Sequence, residues 1–222
     1  MRKLKITVIK KVLILLSFFV SVTVFAQHEI GTVQLRFGLG IGVYEREKVT
    51  TVKIGNTYIS TKDTIAIFTN VIPVELLVGI GKNISFGLHY DYGNYIEDSN
   101  DAEIYRSIIN KAGLTSDIYF INRKRFNMYL NAVLHCSFLN IHKEGVILVN
   151  DYKYRGIGTS FNLGTNVSIF SFLSLNMRLG YDGKNLDLTD WKINGNAQDL
   201  SDLSEKLKSK GFNAMIGLNL VF

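Results

Sequence analysis

The sequence predicts an all-β fold, namely an eight-stranded antiparallel up-and-down transmembrane β-barrel. Three observations lead to this prediction: repeated alternation of apolar and polar residues, a regular rhythm of short and long connections, and a last segment that alternates up to Phe222. Alternation with a period of two is typical of strands that have one apolar face. It occurs in eight segments, namely 31–46, 67–81, 84–96, 114–122, 126–142, 157–170, 173–182 and 212–222.

The last segment, 212–222, shows the pattern most clearly. Its even-numbered residues are all apolar, and its odd-numbered residues include Asn213, Gly217 and Asn219. A tilted strand needs roughly 9–11 residues to cross a bilayer, and this segment is long enough. We expect it to close the barrel by pairing with the first segment.

The connections support the same topology. Those after the second, fourth and sixth segments are short, at 82–83, 123–125 and 171–172, whereas 47–66, 97–113, 143–156 and 183–211 are long. In an antiparallel meander, this alternation puts all short turns at one end. Bacterial outer-membrane barrels have short periplasmic turns and longer extracellular loops. An even number of strands also places both chain ends on the short-turn side.

Two of the long loops contain hairpin signals. The first has alternating residues on both sides of Gly55-Asn56, which predicts a hairpin tip there. The third has a second candidate tip near Asn150-Asp151. Within the second strand, Pro73 lacks a backbone donor, so it predicts a bulge or an irregular pairing.

The other two long loops predict short helices. In 101–113, three isoleucines lie at helical spacing before Gly113, which is a plausible helix stop. In 197–210, three leucines lie on one helical face before Gly211. The residues that suggest these helices are Ile104, Ile108 and Ile109 in the first and Leu200, Leu203 and Leu207 in the second.

The first 26 residues predict a cleaved signal peptide, which leaves 27–222 as one barrel domain. A basic front end precedes the apolar run 12–24, and cleavage is expected after Ala26. The alternative is a membrane anchor, but that run is short against the roughly 20 residues of a spanning helix. This segment also holds five of the 25 Lys and Arg, so residues 27–222 carry 20 basic and 19 acidic side chains. The positive net charge therefore reflects export, and we expect no nucleic-acid partner.

Alternation by itself leaves open which face is inside. A lipocalin-like barrel would turn its apolar face inward, but the apolar face here is bulky and nearly unbroken, and such a surface needs lipid to cover it. Aromatic residues also gather at the strand ends, as in the two girdles of transmembrane barrels. They are Tyr90, Tyr92 and Tyr181 near the long loops and Phe86, Phe126, Phe172 and Phe222 near the short turns. The single cysteine, Cys136, falls on the lipid-facing side.

The opposite face predicts a polar lumen with charged residues. Its charge cluster is Arg36, Glu75, His89, Asp91, Asp117 and Arg178, with His135 and Asp182 on the same face. An eight-stranded barrel is only wide enough for its side chains to fill, so buried charges must pair. We therefore expect a plug in which Glu75 matches Arg36 and Arg178. The alternative is an ion or proton path through the same groups.

Other chemistry has weaker support in the sequence. His135 and Ser137 share a lumen-facing strand face and raise the alternative of a lipid-modifying hydrolase. We expect no enzyme, because two such residues on one strand are weak evidence without a geometry. We also expect no metal and no cofactor. The loop aromatics either form a surface binding site or pack the helix predicted in 197–210 onto the barrel mouth, and they are Tyr58, Tyr105, Tyr152, Tyr154 and Trp191.

The terminal segment also carries a family resemblance. Gly217, Leu220 and Phe222 resemble the signal that outer-membrane barrels present to their assembly machinery. Over nearly all of 27–222 the chain resembles small OmpA-like and OmpX-like barrels, specifically the β-barrel domain proteins of Bacteroidetes-type bacteria. The resemblance implies a monomer in the outer membrane of a Gram-negative cell, with membrane lipid and the assembly machinery as partners.

The expected role is structural, or surface interaction with an extracellular ligand through the long loops. A narrow channel for ions or small solutes and a lipid-modifying enzyme are the alternatives.

Overall fold

The computed structural model describes residues 29–96 and 104–222, so the predicted signal peptide lies outside the described residues. The described chain forms nine strands and no helix. The strands are β1 Val33–Ile54, β2 Thr57–Gly81, β3 Ile84–Ile96, β4 Ile104–Arg123, β5 Phe126–Glu144, β6 Val149–Phe170, β7 Leu173–Ile193, β8 Asn196–Ala197 and β9 Leu203–Val221.

Eight of these strands close into a ring. Strands β1 to β7 pair antiparallel in chain order, β7 also pairs with β9, and β9 pairs with β1, so the ring consists of β1 to β7 and β9. The closing register runs from Gln34 opposite Val221 to Val52 opposite Leu203. The two-residue β8 only extends the hairpin above β7. The predicted eight-stranded up-and-down barrel, closed by the last segment, is therefore confirmed.

The ring is strongly sheared. Following paired residues once around it from Arg36 leads back to β1 at Arg46, ten positions further along the strand. The path is Arg36, Glu75, His89, Gly113, His135, Gly158, Lys184, Ser209 and Arg46. Ten residues of rise against eight inter-strand spacings correspond to a tilt of about 40°. The strands are therefore inclined to the barrel axis by this angle.

The two faces of the wall differ along the lower part of every strand, next to the short turns. Outward side chains there are mostly apolar and exposed, as from Phe37 to Val43 on β1, whereas the intervening inward ones are mostly small or polar. We call this band of outward apolar side chains the outer belt. Cys136 lies in it, on the side that the alternation predicted.

Above the outer belt, toward the long loops, the pattern inverts. The inward side chains form an apolar upper core, made of Tyr44, Ile67, Tyr95, Ile109, Leu139, Ile141, Tyr154, Leu186 and Leu207. The outward side chains at this level are polar or charged, such as Glu45, Lys208 and Arg155. The barrel wall thus continues beyond the belt as an extension packed like a water-soluble barrel, with its apolar face inside.

Both predicted loop helices are wrong. The segment 101–113 contains the start of β4, and 197–210 contains the last residue of β8 and the start of β9. Residues four apart share a face in a helix and also in a strand, so Leu203 and Leu207 fit both periods. Pairing settles the choice, because β9 has hydrogen-bonded partners on both sides up to the level of Leu207. Among the described residues, no helix is long and apolar enough to cross a membrane.

The local turn predictions had mixed outcomes. The hairpin tip at Gly55-Asn56 is confirmed, with Ile54 opposite Thr57 and Gly55 at φ 61°. The tip near Asn150-Asp151 is wrong, because the connection there is 145–148 and Asn150 already pairs within β6. Four consecutive residues from Gly145 with no strand pairing make a looser turn than the sequence signal suggested.

The pairing next to Pro73 is irregular, as predicted. The partners of β1 and β2 skip from Phe37 opposite Val74 to Gly40 opposite Val71, with no change of register. The bulge of β2 lies instead at Gly79/Gly81, beside the short turn.

Candidate functional site

A column of buried ionisable side chains occupies the lower lumen. The six residues of the predicted charge cluster all belong to it, and each is at most 5% exposed: Arg36, Glu75, His89, Asp91, Asp117 and Arg178. They come from five strands, and each occupies an inward position of the alternation. The sheared pairing path from Arg36 carries several of them in succession, which explains how distant segments bring their charges together.

The lower end of the column is centred on Glu75. Its carboxylate lies 2.6 Å from Arg178 Nη1 and 3.5 Å from Arg36 Nη1. Arg36 also pairs with Asp117 at 2.6 Å, donates to the hydroxyl of Tyr119 at 2.7 Å, and lies 4.6 Å above the ring of Tyr129. Arg36 is therefore held by two carboxylates and an aromatic face, an arrangement that suits its planar guanidinium.

His89 links the lower end to the middle. Its Nδ1 lies 2.9 Å from Glu75 Oε1, and its Nε2 lies 3.1 Å from Asp91 Oδ1. Asp91 in turn lies 3.3 Å from Lys111 Nζ. One imidazole thus bridges two carboxylates, which satisfies both of its nitrogens.

The upper end is centred on Asp182. Its carboxylate contacts Lys184 at 2.7 Å, Lys111 at 3.2 Å and His135 Nε2 at 3.0 Å, and it accepts a hydrogen bond from Ser160 at 2.7 Å. Through Lys111 this group connects to Asp91. The result is one continuous chain of ion pairs from Asp117 to Lys184.

The charges of the column nearly balance. Arg36, Lys111, Arg178 and Lys184 face the four carboxylates of Glu75, Asp91, Asp117 and Asp182, and His89 adds one positive charge because both of its nitrogens donate to carboxylates. An unpaired charge in a low-dielectric interior costs several kcal/mol, and these pairs offset much of that cost.

Sequence reasoning missed Lys111 and Lys184. Lys111 lay in a segment interpreted as helix, and Lys184 lay beyond the expected end of the seventh strand. The available signal was the alternation of inward and outward positions, because Lys111 is odd-numbered like the inward Thr115 and Asp117 on β4. Extending the alternation beyond the length of a membrane crossing would have found both lysines.

An aromatic layer, formed by Tyr44 and Tyr95 of the upper core, lies against the top of the column. Lys184 Nζ lies 4.3 Å from the ring centroid of Tyr44 and 5.6 Å from that of Tyr95. Higher up, buried Tyr154 donates a hydrogen bond to Glu205. Burial, and then the charge of Glu205, raises the pKa of Tyr154, so its hydroxyl stays protonated and available to donate.

The structure brings three of the loop aromatics together. Tyr152 stacks on Trp191 with ring centroids 5.9 Å apart and on Tyr154 at 6.4 Å, which continues the upper core toward the mouth. Tyr105 lies instead under Lys143, at 5.2 Å. Tyr58 stands exposed near the β1–β2 hairpin tip. The packing interpretation therefore fits Tyr152 and Trp191, although the helix it invoked is absent from the described chain.

The three residues of the proposed assembly signal lie on the seam between β9 and β1. Gly217 faces inward opposite Gly38, Leu220 pairs with Leu35, and the amide of Phe222 donates to the carbonyl of Val33 at 2.8 Å. All three therefore sit where the ring closes.

A serine, a histidine and an aspartate also meet in the lumen. His135 Nδ1 lies 2.9 Å from Ser137 Oγ, and its Nε2 lies 3.0 Å from Asp182 Oδ1. These are the residue types of a catalytic triad, but the two ring nitrogens are exchanged, because a triad serine contacts Nε2 and the aspartate contacts Nδ1. Ser137 and Asp182, however, are 0% exposed. No cluster of His, Cys, Asp and Glu suited to a metal ion occurs in the part of the chain that the structure describes.

Closed, sheared eight-stranded geometry places the chain in the class of small β-barrels. No protein-family model and no curated protein matches it. Among solved structures it resembles the outer membrane protein OprG from Pseudomonas aeruginosa, with 12% sequence identity over 90% of this chain and 99% of that chain and a TM-score of 0.60. It also resembles the outer membrane protein AlkL, with 14% identity over 89% and 92% of the two chains and a TM-score of 0.54. These likenesses show a shared fold.

Proposed function

We propose that this chain is an integral outer-membrane β-barrel whose lumen is closed by the ion-pair column and whose upper extension serves a structural or surface-interaction role. The observation that supports this most strongly is the inversion of the wall. Apolar side chains face outward along the belt and inward above it. Such a change needs two different solvents outside one wall, lipid at the belt and water above.

The height of the belt fits a bilayer. On β1 it runs from Leu35 to Val43 and ends at Glu45, and on β9 it ends where Phe212 gives way to Lys210. At a tilt of about 40°, nine to ten residues rise by roughly 25 Å, the height of the apolar band on outer-membrane barrels. The aromatic residues at both edges, such as Tyr181 and Phe126, suit its two interfaces.

The closed lumen is supported by the connectivity of the column. Each carboxylate touches at least one cation, and the contacts continue from β1 across to β7. An ion passing through would have to separate pairs that are buried and mutually neutralised. This favours a plug over the narrow channel that is the main alternative.

Planar-bilayer recording tests the closed lumen. Purified wild-type protein should give no stepwise conductance, whereas Glu75→Ala should leak, because it removes the shared partner of Arg36 and Arg178. Glu47→Ala is the matched control, because Glu47 lies on the outer wall. Reproducible conductance steps in the wild type, or a Glu75→Ala variant no leakier than the control, would overturn the proposal.

We assign Ser137, His135 and Asp182 to this plug rather than to catalysis. Ser137 presents no surface to a substrate, and Asp182 is already shared with Lys111, Lys184 and Ser160. A lipid-hydrolysing activity that disappears in Ser137→Ala would contradict this assignment.

The surface-interaction role rests on apolar side chains at the tips of the upper extension. Val146 and Ile147 in the β5–β6 turn are each 84% exposed, and Ile54 and Tyr58 stand exposed at the β1–β2 tip. Exposed apolar groups clustered on loops are typical of contact surfaces. We further propose that the chain is exported by a cleaved signal peptide, belongs with OmpA-like and OmpX-like barrels, and uses Gly217, Leu220 and Phe222 during assembly.

A further inference from the structure

Two grooves lie one above the other on the same part of the outer wall. The lower groove has a volume of about 560 Å³, lies in the outer belt and is lined mainly by apolar side chains of β1, β6, β7 and β9. The upper groove, of about 440 Å³, lies further up the same tilted strands and is lined by Glu45, Glu47, Lys208 and Lys210 together with residues of β5, β6 and β7. The two grooves together form one oblique strip of the barrel surface.

Small residues create both grooves. In the lower one, Ala214 faces outward between Ile41 and Leu179, which are its partners on the neighbouring strands. In the upper one, Gly183 faces outward between Thr159 and Lys210. A β-carbon at Gly183 would meet nothing within 4 Å, so this part of the wall is open to the outside.

The rim of the upper groove carries two lysines and two glutamates, which are loosely paired. Lys210 lies 3.4 Å from Glu45, and Lys208 lies 4.0 Å from Glu47. Glu47 is held more closely by Lys62, at 2.7 Å. Lys208 and Lys210 are 57% and 61% exposed, so their ammonium groups are free to turn toward an anion.

We propose that this strip binds an anionic, phosphate-bearing membrane lipid, with its headgroup phosphate at Lys208 and Lys210 and an acyl chain in the groove over Ala214. The inference rests on the proposed membrane insertion. Lysines at the lipid–water boundary attract anionic headgroups. Ala214 lies four positions after Lys210 on β9, about 13 Å along the strand. A headgroup and the first part of its acyl chain can span this distance. Tyr181 and Phe212, in edge contact at 5.3 Å, lie between the grooves at the height of the lipid glycerol region.

The test uses purified, folded barrel in detergent, titrated separately with phosphatidylglycerol and with phosphatidylcholine of the same chains. Bound lipid is counted by native mass spectrometry. We expect the wild type to prefer phosphatidylglycerol, and the double variant Lys208→Ala/Lys210→Ala to bind it at least fivefold more weakly. Ala214→Leu, which fills the lower groove, should weaken retention of both lipids.

A second double variant controls for charge alone. Lys82→Ala/Lys124→Ala removes two exposed lysines from the short turns at the other end of the barrel and should bind like the wild type. Equal loss in both lysine pairs, or no effect of Ala214→Leu, would overturn the lipid site. Heat-modifiable migration on a gel reports folding of each variant. A folded barrel that binds phosphatidylglycerol no better than phosphatidylcholine would contradict this inference alone. A chain that never forms a heat-modifiable barrel would contradict the proposed function.

Discussion

At the scale of single residues, the seam between β1 and β9 depends on two facing glycines. Gly38 and Gly217 are direct partners, and a β-carbon on Gly217 would lie 2.7 Å from Gly38 Cα and even closer to the carbonyl oxygen of Phe37. A side chain there has no room unless the closing strands separate. The glycine that resembles part of an assembly signal therefore also has a steric reason to be glycine.

Gly217→Ala should accordingly destabilise the barrel by about 1–3 kcal/mol, the usual cost of overpacking. Gly183→Ala is the matched control on the neighbouring strand, because its β-carbon would meet nothing within 4 Å. We expect the control to change stability by less than about 0.5 kcal/mol. Urea unfolding from lipid vesicles, followed by the fluorescence of the single tryptophan, Trp191, measures both. Equal losses would show that the seam tolerates a side chain.

At the scale of elements, the sequence predicts the membrane-crossing part of each strand better than its upper part. Polar residues inside and apolar residues outside give a clear period of two along the belt, and the ends at the short turns follow from it. Above the belt the apolar side chains point inward instead of outward, so along each strand the apolar residues switch between odd and even positions. In the sequence this switch interrupts the alternation, and apolar residues four positions apart then fit a helix as well as a strand.

The same reversal explains which site residues were found. The six members of the predicted charge cluster lie within the eight segments recognised from the sequence, whereas Lys111 and Lys184 lie in β4 and β7 just outside the segments 114–122 and 173–182. Which carboxylate each cation contacts depends on the shear of the ring, because the pairing path shifts by ten residues per turn. Alternation alone carries no information about shear, so the partners were not predictable.

Adjacent isoleucines test the strand assignment of β4. Ile109 is 1% exposed in the upper core, whereas Ile108 faces outward and is half-buried. Ile109→Ala should therefore cost about 2–5 kcal/mol of stability. Ile108→Ala, the same substitution one residue away, should cost clearly less. Urea unfolding in vesicles compares them. Similar costs would favour the helix predicted from 101–113, in which both isoleucines share one face.

At the scale of the whole molecule, two kinds of packing fill the barrel lumen at different heights. Ion pairs fill the lumen at the level of the outer belt, and apolar packing fills it in the upper extension. The aromatic layer of Tyr44 and Tyr95 over Lys184 joins them. The upper extension and the long hairpins lie at the end of the barrel away from the short turns, and the proposed orientation places that end outside the cell.

Cysteine labelling of intact cells tests that orientation. The native Cys136 lies in the outer belt, so we expect it to resist a membrane-impermeant maleimide until the protein is unfolded. Tyr58→Cys, placed in a Cys136→Ser background, puts a thiol at the exposed β1–β2 hairpin and should react at once. A Cys136→Ser variant without the new cysteine controls for background reaction. If Tyr58→Cys reacts only after the outer membrane has been permeabilised, the hairpins face the periplasm and the proposed orientation is wrong. If Cys136 reacts on intact cells as fast as Tyr58→Cys, the belt is not covered by lipid, and membrane insertion itself fails.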